Sequence, residues 1–237
     1  KVTRSVDLGG RRIIKKQTIT TKGALILRDL DLLAPMAAKN LVRVYYLQER
    51  LKGFGKPDGK SGDFAPKHLH VIGAGVMGGD IAAWCALRGF TVTLQDRSTD
   101  FVQPALDRAR VFFEKRSRVP GRAAEQLARL QADVAGHGVE RADVVIEAIY
   151  ENAEAKRELY ARLEPRLKSG ALLATNTSSL MLEPLAEQLA VPGRLVGLHF
   201  FNPVAQMPLV EVIESAATEP QPRAAALAFT RAIHKLP

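Results

Sequence analysis

The chain has 237 residues, of which 46% are hydrophobic and 25% charged, with 34 Lys+Arg against 25 Asp+Glu. That length suits one or two domains with a sizeable core, and the composition is that of an ordinary globular protein. No apolar run approaches the ~18 residues of a membrane span, no secretory signal stands out, and the single cysteine, Cys85, excludes an internal disulfide, so reducing, cytoplasmic conditions are expected.

The positive charge is uneven. Residues 1–60 hold 14 Lys+Arg and 5 Asp+Glu, whereas residues 61–237 hold 20 of each. A basic segment can attract nucleic acid, but only Tyr45, Tyr46 and Phe54 supply aromatic faces here, so it reads as the solvated surface of a linker with no nucleic-acid partner. Residues 1–30 alternate weakly and predict irregular or short-stranded chain. Leu33, Met36, Ala37, Leu41, Val44, Leu47 and Leu51 recur at helical steps and predict a helix from about Ala34 to Lys52, with Pro35 in its first turn and Gly53 at its end. Gly53 to Pro66 is rich in Gly, Pro and Asp and predicts a linker. Residues 1–66 thus form a linker segment with one long helix, 67–219 an α/β domain, and 220–237 the start of a helical connection leading onward.

The α/β domain opens on its most specific signal. Apolar Leu69, Val71 and Ile72 lead into Gly73, Gly75 and Gly78, spaced G-x-G-x-x-G. A helical pattern follows through Ile81, Ala82, Trp84, Cys85 and Leu87 and stops at Gly89; a second strand, Thr91 to Leu94, then ends at Asp96. This is the order that holds a dinucleotide: Gly73 permits the turn, Gly75 lets a pyrophosphate approach the backbone, and Gly78 lets helix and strand pack closely. The helix N-terminus offers unpaired N–H groups to phosphate. Asp96, 18 residues after Gly78, can accept from the ribose hydroxyls and repels a 2′-phosphate, which favours NAD over NADP. Arg97 offsets a little of that preference. Cys85, inside the helix, reads as a small core residue.

Further along, helical patterns cover about Phe101–Ser117 and Arg122–Leu130. The first ends in Lys115 and Arg116, with Arg118 just beyond, a cluster able to meet phosphates or simply to match the helix dipole. Ala142–Ile149 reads as a buried parallel strand, followed by an amphipathic helix from Asn152 to Leu167, a strand at Ala171–Asn176 and a short helix at Pro184–Ala190. Leu195–Phe200 and Leu209–Ser215 predict two more strands, and Pro222–Lys235 a final helix. The alternation predicts a Rossmann-type, doubly wound, mostly parallel sheet.

Ligands in such sheets bind beyond the carboxyl ends of the strands. That brings Ser178, His199 and Asn202 towards one edge, and Glu211, 12 residues after His199, within reach of the imidazole. Oxidising an alcohol with NAD needs a base for the hydroxyl proton. Histidine titrates in the right range, and a carboxylate on its other nitrogen fixes the tautomer.

The segments Val71–Ala82, Ala142–Asn152, Thr175–Leu180, Gly197–Val204 and Pro208–Glu214 together resemble the NAD-binding domain of L-3-hydroxyacyl-CoA dehydrogenases, in that family's order and spacing. The resemblance implies that His199 is the base and Glu211 its partner, that Ser178 contacts substrate and nicotinamide, and that Asn202 joins them. It also implies cofactor contacts from Met77, Ile149, Tyr150, Glu151 and Lys156, and an acyl-CoA substrate. The segment before the domain, with the run Asn40–Gly53, resembles the connection between hydratase and dehydrogenase domains in the α-subunits of multifunctional fatty-acid oxidation complexes. That implies a thiolase β-subunit as partner, and homo-oligomers occur among such enzymes. No metal site is expected. The family's helical C-terminal domain has no counterpart before Pro237, so the chain reads as a fragment, weak or inactive alone. Two rival readings are a dehydrogenase of another small hydroxy acid and a catalytically silent NAD-binding or interaction module.

Overall fold

The computed structural model describes residues 5–6, 12–13, 35–53 and 64–237. The chain divides into two units, Lys1–Glu49 and Arg50–Pro237. In the first, β1 (Ser5–Val6) pairs antiparallel with β2 (Arg12–Ile13), the only described part of the segment expected to be irregular or short-stranded. The helix expected from about Ala34 to Lys52 is α1, Pro35–Leu51. It begins at a proline, whose missing N–H costs nothing in a first turn. Most of the expected Gly53–Pro66 linker lies outside the described residues.

The second unit is built on one sheet. Its strands are β3 (His68–Ile72), β4 (Thr91–Gln95), β5 (Leu130–Ala132), β6 (Val144–Glu147), β7 (Leu172–Thr175), β8 (Leu195–Phe200) and β9 (Val210–Ile213), in the spatial order β5-β4-β3-β6-β7-β8-β9. All pairings are parallel except β8 with β9. The chain winds outward from β3 in one direction and then, from β6, in the other, which opens a crevice where the order reverses.

Helices cover both faces, which is why the strands read as continuous apolar runs. One face carries α2 (Val76–Leu87), α3 (Thr99–Arg116) and α7 (Pro220–Ala232). Their Ile81, Phe113 and Phe229 pack with Val144, Ile146, Val196 and Leu198 of the sheet. The other carries α5 (Ala153–Leu163) and α6 (Leu182–Ala186), whose Tyr160, Leu163 and Leu185 pack with Ile72, Val145, Leu173 and Leu195. The alternation along β6 is complete, since Val144, Val145, Ile146 and Glu147 are all fully buried. The remaining helix, α4 (Arg122–Ala128), is shorter than the expected Arg122–Leu130, because Leu130 leaves it to start the edge strand β5 against β4.

The C-terminal segment packs on the sheet. Ala225, Ala226, Phe229 and Ile233 of this segment belong to the core, and beside β9 the Val210 N–H donates to the Leu236 carbonyl and the Leu236 N–H to the Pro208 carbonyl. Phe229 is fully buried and meets Phe90 edge-on at 6.0 Å between ring centres. Phe229→Ala is therefore expected to cost ~3–5 kcal/mol, the range for truncating a buried aromatic, as read by denaturant titration; a loss below ~1 kcal/mol would show that α7 is not part of this core.

Candidate active site

The glycine turn between β3 and α2 is formed by close backbone approach. Gly73 has φ +103°, and a Cβ there would stand 2.4 Å from the Ala148 carbonyl oxygen. A Cβ on Gly78 would stand 1.8 Å from the Gly73 oxygen. No side chain fits at either position, so the turn, α2 and the end of β6 are locked together. At Gly75, the residue before α2, a Cβ would meet nothing within 4 Å. The first turn of α2 thus opens towards the cleft with its N–H groups and dipole.

That cleft has a volume of about 520 Å3 and is lined by Gly73, Gly75, Asp96, Arg97, Ile149 and Tyr150, among others. Asp96 stands at the C-terminal end of β4. One carboxylate oxygen accepts from the Ala74 N–H at 2.7 Å and the other from the Arg97 N–H at 2.7 Å, which pins the carboxylate to the glycine turn. The Arg97 guanidinium lies over the Phe101 ring, 4.7 Å from its centre. Glycine turn, open helix end and fixed carboxylate fit the pyrophosphate and adenosine ribose of a dinucleotide. Met77 is half-buried against the core.

At the same edge, β8 and β9 present a histidine–carboxylate pair. His199 and Glu211 are direct partners in the antiparallel ladder, and His199 Nδ1 lies 2.8 Å from Glu211 Oε2. The imidazole is mostly covered and lies tilted at 57° against the Phe201 ring, 4.6 Å between ring centres. Exposed Asn202 follows in the loop to β9. Lys235 holds that loop from below, donating from Nζ to the carbonyl oxygens of Val204 and Met207, with the ammonium over the Trp84 ring of α2 at 4.1 Å.

Ser178 follows the end of β7, the neighbour of β8, and is exposed. Its loop is tied down on both sides. Asn176 Oδ1 accepts from the Phe200 N–H at 2.8 Å. Glu151 Oε1 accepts from the N–H groups of Ser178 at 2.9 Å and Ser179 at 3.2 Å, and from the Thr177 hydroxyl at 2.5 Å. Partial burial alone would push the Glu151 carboxyl up, but the Thr177 hydroxyl, the Ser178 N–H and the Lys156 ammonium outweigh it and hold it down to about 2.

The structure therefore brings Gly73, Gly75, Asp96, Ile149 and Tyr150 to the cleft and sets Ser178 and His199 on neighbouring strand ends. Lys156 is placed differently from a cofactor-lining residue. It is 1% exposed, with Nζ between Glu147 at 2.6 Å and Glu151 at 3.3 Å. Lys115 and Arg116 line a separate cavity of about 300 Å3 with Arg108, Asp80 and Gln206, whereas Arg118 is exposed beyond it. Sequence reasoning missed Glu147, whose signal was a lone acid in an otherwise apolar strand. It also missed His70, buried beneath the cleft, with Nδ1 2.8 Å from the Thr93 hydroxyl and Nε2 2.9 Å from Gln95 Oε1; burial lowers its pKa and keeps it neutral.

Residues 68–237 match the family of the 3-hydroxyacyl-CoA dehydrogenase NAD-binding domain. This chain belongs to that family. Its dinucleotide is accordingly NAD. Among solved structures, the second unit resembles 3-hydroxybutyryl-CoA dehydrogenase from Escherichia coli K12, at 34% identity and TM-score 0.69 over 73% of this chain and 38% of that one. (S)-3-Hydroxybutyryl-CoA dehydrogenase from Ralstonia eutropha is similar at 30% identity and TM-score 0.69, over 73% of this chain and 62% of that one. The dehydrogenase part of multifunctional enzyme 1 from C. elegans is similar at 31% identity and TM-score 0.69, over 81% of this chain and 47% of that one. The chain spans less than two thirds of each of these proteins. Among the described residues, no helix is long and apolar enough to cross a membrane.

Two measurements bear on this NAD-binding domain. NAD should bind more tightly than NADP by calorimetry, and Asp96→Ala should narrow the gap; tighter binding of NADP to the native chain would contradict the role given to that carboxylate. A carboxyl lowered in the folded state stabilises above its unfolded value and loses that contribution as pH falls through its folded value. Stability should therefore decline from about pH 4.5 towards about 2 through Glu151, with Asp133 and Asp143, also lowered, adding to the same decline. Glu151→Gln should flatten part of that curve in denaturation series at fixed pH, and an unchanged curve would exclude its share.

Proposed function

We propose that the protein containing this chain oxidises (3S)-3-hydroxyacyl-CoA to 3-oxoacyl-CoA, with His199 as general base oriented by Glu211. The observation that carries this reading is the 2.8 Å contact between His199 Nδ1 and Glu211 Oε2, at the strand edge that also bears the dinucleotide cleft. With Nδ1 engaged by the carboxylate, Nε2 takes the proton of the substrate hydroxyl, and Glu211 stabilises the cation that results. NAD, when bound, accepts the hydride leaving C3. Ser178 and Asn202, both exposed on the flanking loops, are set to hydrogen-bond the substrate oxygen or the nicotinamide amide. Lys115 and Arg116, with Arg108 on the same cavity wall, suit the phosphates of CoA, and Arg118 stands just outside.

The similarity to the dehydrogenase part of the C. elegans multifunctional enzyme, which reaches 81% of this chain, supports a place in a multifunctional enzyme, and the resemblance of the segment Asn40–Gly53 to hydratase–dehydrogenase connections suggests a hydratase domain beside it in β-oxidation. A thiolase subunit, the enzyme that would cleave the 3-oxoacyl product, is the partner that place suggests.

In the full-length protein, His199→Ala is expected to lower kcat for acetoacetyl-CoA reduction by ~10²–10⁴-fold, the usual cost of losing a general acid–base group, while NAD affinity stays nearly constant. Glu211→Gln should cost as much or less, and the double substitution should cost far less than the product of the two because the residues act as a unit. Additive losses, or wild-type kcat in His199→Ala, would show that the pair is misassigned.

A further inference from the structure

Glu147 ends β6 with its side chain fully buried on the face covered by α5. Its Oε1 accepts from Lys156 Nζ at 2.6 Å and from the Ile149 N–H at 2.7 Å. Its Oε2 accepts from the Tyr160 hydroxyl at 2.6 Å and the Thr175 hydroxyl at 2.8 Å. Every one of these donors is itself in an element that borders the site: the turn after β6, the helix α5 and the end of β7.

A buried ion pair is weak evidence for stability, because desolvation consumes most of the Coulombic gain and apolar replacements of both partners are often neutral or better. The connections of this pair are more informative than its energy. The Lys156 ammonium reaches past Glu147 to Glu151 Oε2 at 3.3 Å. The other oxygen of Glu151 is the acceptor for the N–H groups of Ser178 and Ser179. Lys156 thus has two carboxylates, and Glu147, which is buried and held by three other donors, is the fixed one. While Glu147 satisfies the ammonium, Glu151 needs to lend it only one oxygen and keeps the other for the serine loop. Without Glu147, Glu151 becomes the only counter-ion of a buried ammonium, and the attraction pulls it away from the loop N–H groups.

We propose that Glu147 is a positioning residue for the dehydrogenase reaction: through Lys156 and Glu151 it fixes the Asn176–Leu180 loop that presents Ser178, and through the Ile149 N–H it fixes the wall of the dinucleotide cleft. This rests on the reading of the cleft and the His199–Glu211 pair given above. It assigns Lys156 a place inside the protein, between two anions, in keeping with its burial. It also accounts for a buried carboxylate at the end of an otherwise apolar strand, where Val or Ile would suit the core better.

The test uses Glu147→Gln and the double variant Glu147→Gln/Lys156→Met in the full-length protein, with three readouts: amide hydrogen exchange at Ser178 and Ser179, NAD affinity, and steady-state reduction of acetoacetyl-CoA by NADH. The double variant removes both buried charges, so it folds even where the single variant strands an ammonium. Glu147→Gln is expected to speed exchange at the two serines and to lower kcat ~10–100-fold, the scale of a displacement of about 1 Å at a reacting group, with a smaller rise in the Kd for NAD, whereas the double variant, with no ammonium to draw Glu151 off the loop, is expected to return exchange and kcat towards wild type. Native exchange and kcat in Glu147→Gln, or a double variant whose exchange at Ser178 and Ser179 stays fast and whose kcat stays low, overturns the proposal and leaves Glu147 as a partner for Lys156 in the core. Wild-type protein that binds no NAD overturns the dehydrogenase reading instead, and the exchange measurement still decides the relay.

Discussion

The contact between the Gly73 carbonyl and the Gly78 backbone sets the geometry of everything at the C-terminal edge of the sheet. A methyl group at position 78 would lie 1.8 Å from that carbonyl and 3.3 Å from the Ala148 side chain. Because no side chain intervenes, α2 begins directly above the end of β3 and its first turn faces the crevice between β3 and β6. The same compactness brings the Ala148 carbonyl against Gly73, so the turn after β6 becomes a wall of the cleft. Asp96 completes the unit by binding the Ala74 N–H. Three successive elements are thus held by backbone contacts that tolerate almost no variation.

Electrostatically the site is organised from its anions. Asp96, Glu147, Glu151 and Glu211 each accept from groups that have a position to hold: a backbone N–H, an ammonium, a hydroxyl or an imidazole. Carboxylates serve this purpose well because they accept several hydrogen bonds in different directions. The cost is desolvation, greatest for Glu147, and it is offset by the number of donors around each group.

Much of this could be read from the sequence, and the reasons are local. The glycine spacing, the acid after the second strand and the apolar runs at 142–149 and 195–200 encode short-range geometry, and the sheet order follows from alternation of strand and helix. The His199–Glu211 pair was legible because strand pairing turns a spacing along the chain into a contact. What escaped depends on tertiary context. Leu130 looked like the end of a helix because the three-residue edge strand it starts has too few side chains to show a period. The packing of the last helix on the sheet was not legible because its apolar residues do not reveal what they pack against. The roles of Glu147, Tyr160 and Thr175 depend on three separate elements meeting at one buried carboxylate, and no spacing rule encodes that meeting.

The antiparallel pairing of β8 with β9 has a consequence for how this region can vary. Side chains alternate faces along a strand, so a slip of one residue in the ladder would turn Glu211 to the opposite side of the sheet from His199. The segment between the strands, Phe201 to Leu209, is a loop that starts two residues after His199. Its middle is fastened by Lys235 through the Val204 and Met207 carbonyls, so changes outside those two anchor points leave the ladder in register. Related proteins can therefore reshape this rim while inheriting the His199–Glu211 contact intact, so the loop and the pair can vary separately on one hairpin.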